Sequence, residues 1–267
     1  MSGSSTLFTA VVLAGDRSSE DPVARVAGVR SKSLIPVGGT PMVLRVIDAL
    51  EAAREIEKVI LCGPEKSAVD QEQELRLRVD SGKVRWLESK TTPSFSTHHA
   101  MQSLSDSTLV LVTTADHALL TAEMVNYFCS TARKSNKDVV VGLALHELVR
   151  AKYPETKRTA IQLADGSYCS CNLFGFLTPE ARSAAYFWRK VESQRKKTLR
   201  VIAGFGWLNL LLYLLKRPSL EEGLDRISQR LGLRAGAVIM PFPEAAVDVD
   251  TVSDWELVES IVANRTG

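Results

Sequence analysis

Cysteine is scarce. Four in 267 residues are too few, in a chain this long, for a disulfide framework, so a reducing cytoplasm is the expected home. Charge of one sign is not in excess either: 33 Lys and Arg against 31 Asp and Glu give a formal net charge of +2, which makes no case for a nucleic-acid partner. The opening MSGSSTLFTA lacks a basic start followed by an apolar stretch, so no secretory signal is expected. No uncharged apolar run reaches the length of a membrane span. The four histidines have no zinc-ligand spacing. Neither GxxxxGK followed by Ser or Thr nor GxGxxG occurs, which excludes the Walker A loop and the dinucleotide fingerprint. There is no internal repeat and no low-complexity linker, so 1–267 reads as one domain. Its 45% hydrophobic and 24% charged content is that of an ordinary soluble globular chain.

What is present is alternation. Apolar runs at 7–13, 58–62, 84–87, 108–113 and 138–145 read as strands. Helical spacing appears at 41–53, 66–79, 97–104 and 122–134. Strands separated by helices imply a mostly parallel central sheet covered on both faces, a three-layer α/β/α fold. The second half differs. A hairpin is expected from 159–163 and 168–176 around Asp165-Gly166, then helices over 179–194, 201–216 and 220–231. A last strand follows at 237–240, and a last helix at 253–263 opened by the capping-box pattern Ser253-Asp254-Trp255-Glu256.

The first strand does not pass directly into a helix. VVLAGDRSSEDPVARVAGVRSKSLIPVGGTPMV carries Gly15, Asp16, Arg17 and Lys32 through a long insertion, where strand-to-helix loops usually take roughly 2–6 residues. A loop after the first strand lies at the carboxyl edge of the sheet, where open α/β folds bind ligands. Gly15 permits close backbone approach, exposed N–H groups suit phosphate oxygens, Arg17 offers a fork of donors and Lys32 a point charge. By spacing alone a solvated surface loop fits equally well. Downstream, Asp116 sits just past the strand in TLVLVTTADHALLT, as a candidate Mg²⁺ ligand or a helix cap. In AAVDVDTVSDW, alternation puts Asp248 and Asp250 on one side of an extended segment, and such like charges call for a compensating cation or for solvent.

These three segments resemble the nucleotidyltransferases of the molybdenum-cofactor guanylyltransferase-like (MobA-like) group. Leu13, Ala14, Gly15, Arg17, Lys32, Gly39, Pro41 and Met42 lie on the group's opening pattern, Asp116 on its Asp-x-Pro, and Asp248, Asp250 and Thr251 on its Asp-x-Asp-Thr-Pro. The departures are Asp16 in place of a small residue, a longer segment before Lys32, Ala118 and Val252 in place of prolines. The resemblance implies a nucleotide-diphospho-sugar transferase-like fold of GT-A type with a helical C-terminal elaboration. It implies an NTP-binding half over 1–150 and an acceptor-binding half over 151–267. Leu13, Ala14, Gly15, Asp16, Arg17 and Lys32 would wrap the nucleotide, with Arg17 on the β/γ-phosphates and Lys32 at the α-phosphate as the catalytic cations. Gly63, Pro64, Ser94, Ser96 and Thr97 would frame base and ribose, although Ser96 or Thr97 could equally cap the next helix. Mg²⁺ (or Mn²⁺) would be held by Asp116 with Asp250 or Asp248, Asp250 being favoured. The reaction implied is attack by an acceptor oxyanion on the α-phosphorus with release of pyrophosphate.

For the acceptor, Asn172 in CSCNLFGF and Arg158 on the paired strand are the expected contacts. Lys197 is a further candidate, within a basic run that also reads as a solvated helix face. The stretch 201–217 is too short to span a bilayer and reads as a core helix or as an interfacial one with a basic flank. The latter would allow peripheral membrane contact and a lipid-linked phosphate acceptor in place of a small molecule. Two other functions remain open at this level: a glycosyltransferase using a nucleotide sugar, and a membrane-associated protein that binds nucleotide without turnover.

Overall fold

The computed structural model describes residues 7–16, 21–156, 158–182 and 218–266. Arg17, Lys197, the stretch 201–217 and most of the helix expected over 179–194 lie outside the described residues. Among the described residues, no helix is long and apolar enough to cross a membrane.

Strand β1 (Phe8–Leu13) is almost wholly buried and lies inside the sheet, with a strand on either side. The other strands are β2 (Pro36–Val37), β3 (Thr40–Pro41), β4 (Ile56–Cys62), β5 (Val84–Leu87), β6 (Leu109–Thr114), β7 (Val139–Leu145), β8 (Ile161–Leu163), β9 (Gly166–Phe176) and β10 (Ala235–Ile239). The main sheet has eight strands in the order β10-β7-β9-β6-β1-β4-β5, with β8 paired to β9. β1 runs parallel to β4 and β6, β4 to β5, and β7 to β10, while β9 is antiparallel to both β6 and β7. In register, Leu13 faces Cys62 on one side and Thr114 on the other. The loops that follow β1, β4 and β6 therefore open at one edge.

Helix α1 (Pro22–Val26) interrupts the opening insertion; the Asp21 side chain caps it by accepting from Val23 and Ala24 N–H groups. α2 (Met42–Glu51) buries Val43, Leu44, Val46, Ile47 and Leu50 on the helical spacing that its sequence shows. The single helix expected over 66–79 is two, α3 (Lys66–Gln71) and α4 (Gln73–Asp80), parted at an extended Glu72. Val69 and Leu75 are both fully buried. Six residues apart, they would point roughly 120° away from each other on one continuous helix, and the break lets both reach the core.

α5 (Pro93–Gln102) starts four residues before the helix expected at 97. Thr92 caps it by accepting from Phe95 N–H, and Pro93 occupies the first turn, where a missing N–H costs nothing. Thr92→Ala is expected to lower stability by about 1 kcal/mol, read as a lower urea midpoint with unchanged slope.

α6 (Ala122–Lys134), α7 (His146–Lys152) and α8 (Leu220–Leu231) follow. The expected hairpin is present as β8 and β9, with Leu163 facing Gly166. The last helix, α9 (Val252–Thr266), begins before Ser253. Its reciprocal cap is Thr251 with Asp254: the Thr251 hydroxyl accepts from Asp254 N–H at 3.2 Å and the Asp254 carboxylate from Thr251 N–H at 2.9 Å. The expected Ser253–Glu256 box is thus displaced by two residues. Asp254 binds three groups at the turn, and a box starting at Ser253 would forgo them.

α9 packs on the opening insertion. Val23, Ile35, Val37 and Met42 form one apolar cluster with Val249, Val258 and Val262. Trp255 Nε1 donates to the Pro36 carbonyl at 2.7 Å, and Gly38 N–H to Glu259 at 2.9 Å. Gly38 and Gly39 both have positive φ, 57° and 77°, forming the tight turn between β2 and β3. A Cβ on Gly38 would lie 2.7 Å from the Val262 side chain. The N-terminal loop and the C-terminal segment are thereby held against each other.

Candidate active site

The insertion is closed at its base. Asp16 Oδ1 accepts from Lys32 N–H at 3.0 Å, bringing residues 16 and 32 together. A short 3₁₀ turn, Lys32–Leu34, follows, pinned by the fully buried Ile35. The Lys32 side chain, 20% exposed, is directed toward the edge of the sheet beyond β6.

Asp116 lies there. Ala115 N–H donates to the Leu13 carbonyl at 2.9 Å, and the Asp116 carbonyl accepts from Val249 N–H at 3.2 Å. That second bond lays the segment 248–250 alongside residue 116. Lys32 Nζ donates to Asp116 Oδ2 at 2.8 Å and to Asp250 Oδ1 at 2.8 Å. Residues 84 and 218 positions away from Lys32 thus share one ammonium.

Burial alone pulls the Lys32 ammonium down, but the two carboxylates outweigh it and hold the group above its ordinary 10.5. Burial pushes Asp116 up, and Lys32 more than reverses this, leaving the carboxyl below its ordinary 3.8. The Asp116 contribution to stability is therefore present above 3.8 and lost as pH falls through its lower folded value. The Lys32 contribution is present below 10.5 and lost as pH rises through its higher folded value. Between these limits Lys32 and Asp116 are both charged.

Asp248 is placed differently from Asp250. The segment 247–250 is not a strand, so strict alternation does not hold. Asp248 pairs with the Arg158 guanidinium and accepts from Asn172 Nδ2 at 2.7 Å. Arg158 and Asn172, expected at the acceptor, are thus both engaged by Asp248. Arg158 also bonds the Asp248 carbonyl and Asp254. His117, fully buried, is pushed down to about 4 by burial and is neutral at pH 7.

Of the residues expected at the nucleotide, Leu13 ends β1 and Ala14 and Gly15 follow it, with Ala14 N–H donating to the Cys62 carbonyl at 2.8 Å. Gly63 has a φ of 79°, and a Cβ there would come within 2.8 Å of the Gly15 nitrogen; the two turns touch backbone to backbone beside Pro64. Ser94, Ser96 and Thr97 are buried within α5. The Ser96 hydroxyl accepts from Lys90 N–H at 2.8 Å, and the Thr97 hydroxyl donates to the Pro93 carbonyl at 2.9 Å. Neither caps the helix; Thr92 does.

Among the described residues no group of three or more His, Cys, Asp or Glu side chains gathers as a metal site. Asp116 and Asp250 offer hard carboxylate oxygens from separate segments, and among the described residues the buried Asp116 Oδ1 has no well-formed hydrogen bond. This donor set fits Mg²⁺, which is usually bound by one or two carboxylates together with substrate phosphates. Sequence reasoning passed over Asp254 and His117 as site components. The Thr251-x-x-Asp254 spacing was a signal for the first; a buried neutral imidazole leaves none.

A family model described as the MobA-like NTP transferase domain matches residues 10–167. Among solved structures, a hypothetical transferase from Thermus thermophilus is 31% identical, with a TM-score of 0.76 over 93% of this chain and 99% of that one. A 4-diphosphocytidyl-2C-methyl-D-erythritol synthase from Anaerococcus prevotii superposes with a TM-score of 0.56 at 14% identity, over 97% and 96% of the two chains. A CMP:2-keto-3-deoxy-manno-octonic acid synthetase complexed with CTP gives 0.58 at 12% identity, over 97% and 99%. Comparison with curated proteins by sequence gives no match.

Proposed function

Because the chain belongs to the MobA-like NTP transferase family, a family of nucleotidyltransferases, we propose that it transfers a nucleoside monophosphate from an NTP to a phosphorylated acceptor and releases pyrophosphate. An acceptor phosphate oxygen attacks the α-phosphorus, and the bond from that phosphorus to the bridging oxygen breaks. Its electron pair leaves with pyrophosphate. The observation that supports this most is the single ammonium of Lys32 held between Asp116 and Asp250, 2.8 Å from each, at the edge where β1, β4 and β6 end.

Phosphoryl-type transfer needs positioning and positive charge more than a covalent nucleophile. Lys32 supplies a fixed positive charge for the α-phosphate. Gly15 and Gly63 let the turns after β1 and β4 pack closely against each other and against Ser89 at this edge, and Arg17 would belong with the β- and γ-phosphates. Asp116 and Asp250 would hold Mg²⁺ or Mn²⁺. Held there, such a cation would supply further positive charge to the phosphates. Asp250, rather than Asp248, is the partner of Asp116 in this reading, since Asp248 is taken up by Arg158 and Asn172.

The test is pyrophosphate release from each of the four NTPs with Mg²⁺ and a panel of sugar phosphates and polyprenyl phosphates. CTP is included because one structural neighbour is described as complexed with it. Pyrophosphate formed only when an acceptor is present is the expected result. Release of nucleoside diphosphate from a nucleotide sugar would favour glycosyl transfer instead. Stabilisation by NTP with no product would mark a binding protein.

A further inference from the structure

Asp250 is 56% exposed, and among the described residues its side chain pairs with Lys32. An exposed carboxylate on a short irregular segment needs something to hold it opposite Asp116. The structure provides a chain of contacts that leads inward from its backbone. Asp250 N–H donates to Asp254 Oδ2 at 3.3 Å. The same oxygen accepts from Thr251 N–H at 2.9 Å and from the Thr251 hydroxyl at 2.8 Å. The other Asp254 oxygen accepts from Arg158 Nη2 at 2.9 Å. Arg158 is 11% exposed, lies between Asp254 and Asp248, and also bonds the Asp248 carbonyl. Asn172 then anchors Asp248 from β9, with its own backbone left-handed at a φ of 50°.

The two-residue segment between Asp248 and Thr251 is therefore gripped at both ends by one guanidinium, directly on Asp248 and through Asp254 on Thr251. We propose that Arg158 is a positioning residue: it fixes Asp250 opposite Asp116 and so sets the affinity of that carboxylate pair for the divalent cation accompanying the NTP. This rests on the metal assignment made under the proposed function. Lysine cannot replace arginine here. One ammonium lacks the planar fork that reaches two carboxylates and a carbonyl together.

The test uses the full-length protein and Mn²⁺, with free Mn²⁺ followed by electron paramagnetic resonance in the presence of each of the four NTPs. Arg158→Lys and, as a second probe that leaves the guanidinium in place, Asp254→Asn are each expected to weaken Mn²⁺ binding by roughly 10-fold, the usual scale for residues that orient a metal ligand. Asp250→Asn weakens it at least as much. The combination Arg158→Lys with Asp250→Asn should bind Mn²⁺ no more weakly than Asp250→Asn alone, because Arg158 acts through Asp250. A residue that only supports the fold would reduce the folded fraction or add its loss to that of Asp250→Asn. Wild-type affinity in both Arg158→Lys and Asp254→Asn, or additive losses, would overturn the positioning role alone. Mn²⁺ binding that does not depend on Asp250 at all would overturn the metal assignment, and the positioning role with it.

Discussion

Replacing Lys32 by alanine is expected to lower nucleotidyl transfer by about 100- to 1,000-fold, the loss seen when one preorganised charge-stabilising contact is removed from a reacting centre. The ammonium lies 2.8 Å from both Asp116 and Asp250. Without it, Asp116 and Asp250 lose the ammonium that they share and face the incoming triphosphate without that charge. Both nucleotide binding and turnover suffer. The fold should survive, because the insertion is also held by Asp16 on Lys32 N–H and by the apolar cluster of Ile35, Val37 and Met42 with α9. Lys32→Arg is not expected to restore activity, since the larger guanidinium does not fit where a compact ammonium sits 2.8 Å from each carboxylate. The check is kcat/KM for pyrophosphate release alongside a urea unfolding curve. A folded Lys32→Ala protein with wild-type kcat/KM would contradict the role.

Asp116→Asn should cost turnover roughly 100-fold or more, since weakening the carboxylate that fixes Lys32 and is proposed to hold the cation forfeits charge stabilisation of that order at the reacting phosphate, while keeping the shape of the side chain. It also changes the acid side of the stability profile. In the wild-type protein Lys32 holds Asp116 below 3.8 despite burial, so the carboxyl adds stability above that value and gives it up as pH falls through the lower folded one. The Asn variant has no such group. The difference in urea midpoint between wild type and Asp116→Asn is therefore expected to be largest near neutrality and to shrink as pH is lowered past 3.8. A difference that stays constant down to strongly acid pH would show that the Lys32–Asp116 pair does not carry the effect.

The layers of the fold were legible because buried strands and amphipathic helices announce themselves by apolar runs and period. β1, β6, β7, α2 and α6 are where their patterns put them, within a residue or two. Boundaries failed where a competing local interaction won. Thr92 and Pro93 open α5 ahead of the serines; Thr251 and Asp254 cap α9 ahead of Ser253; Val69 and Leu75 both demand the core and split a helix that periodicity leaves whole.

For the site, the residue types, the carboxyl-edge rule and the family resemblance of the three segments together nominated Lys32, Asp116 and Asp250. They were not enough to rank Asp250 over Asp248 by more than a preference. That ranking depends on Arg158, which is 90 and 96 positions away from the two aspartates it engages. Nor does the sequence reveal that α9 folds onto the opening insertion. The apolar residues of 23–42 and 247–262 have no pattern that names each other as partners; their shared cluster is a property of the assembled chain.

The most direct measurement is a crystal structure of the protein with Mn²⁺ and whichever NTP raises its melting temperature most, using the anomalous signal to place the metal. The account predicts an anomalous peak coordinated by Asp116 and Asp250, the triphosphate along the Ala14–Gly15 turn, and the Lys32 ammonium on a phosphate oxygen. A metal bound away from these carboxylates, or a nucleotide on the opposite edge of the sheet, would contradict it.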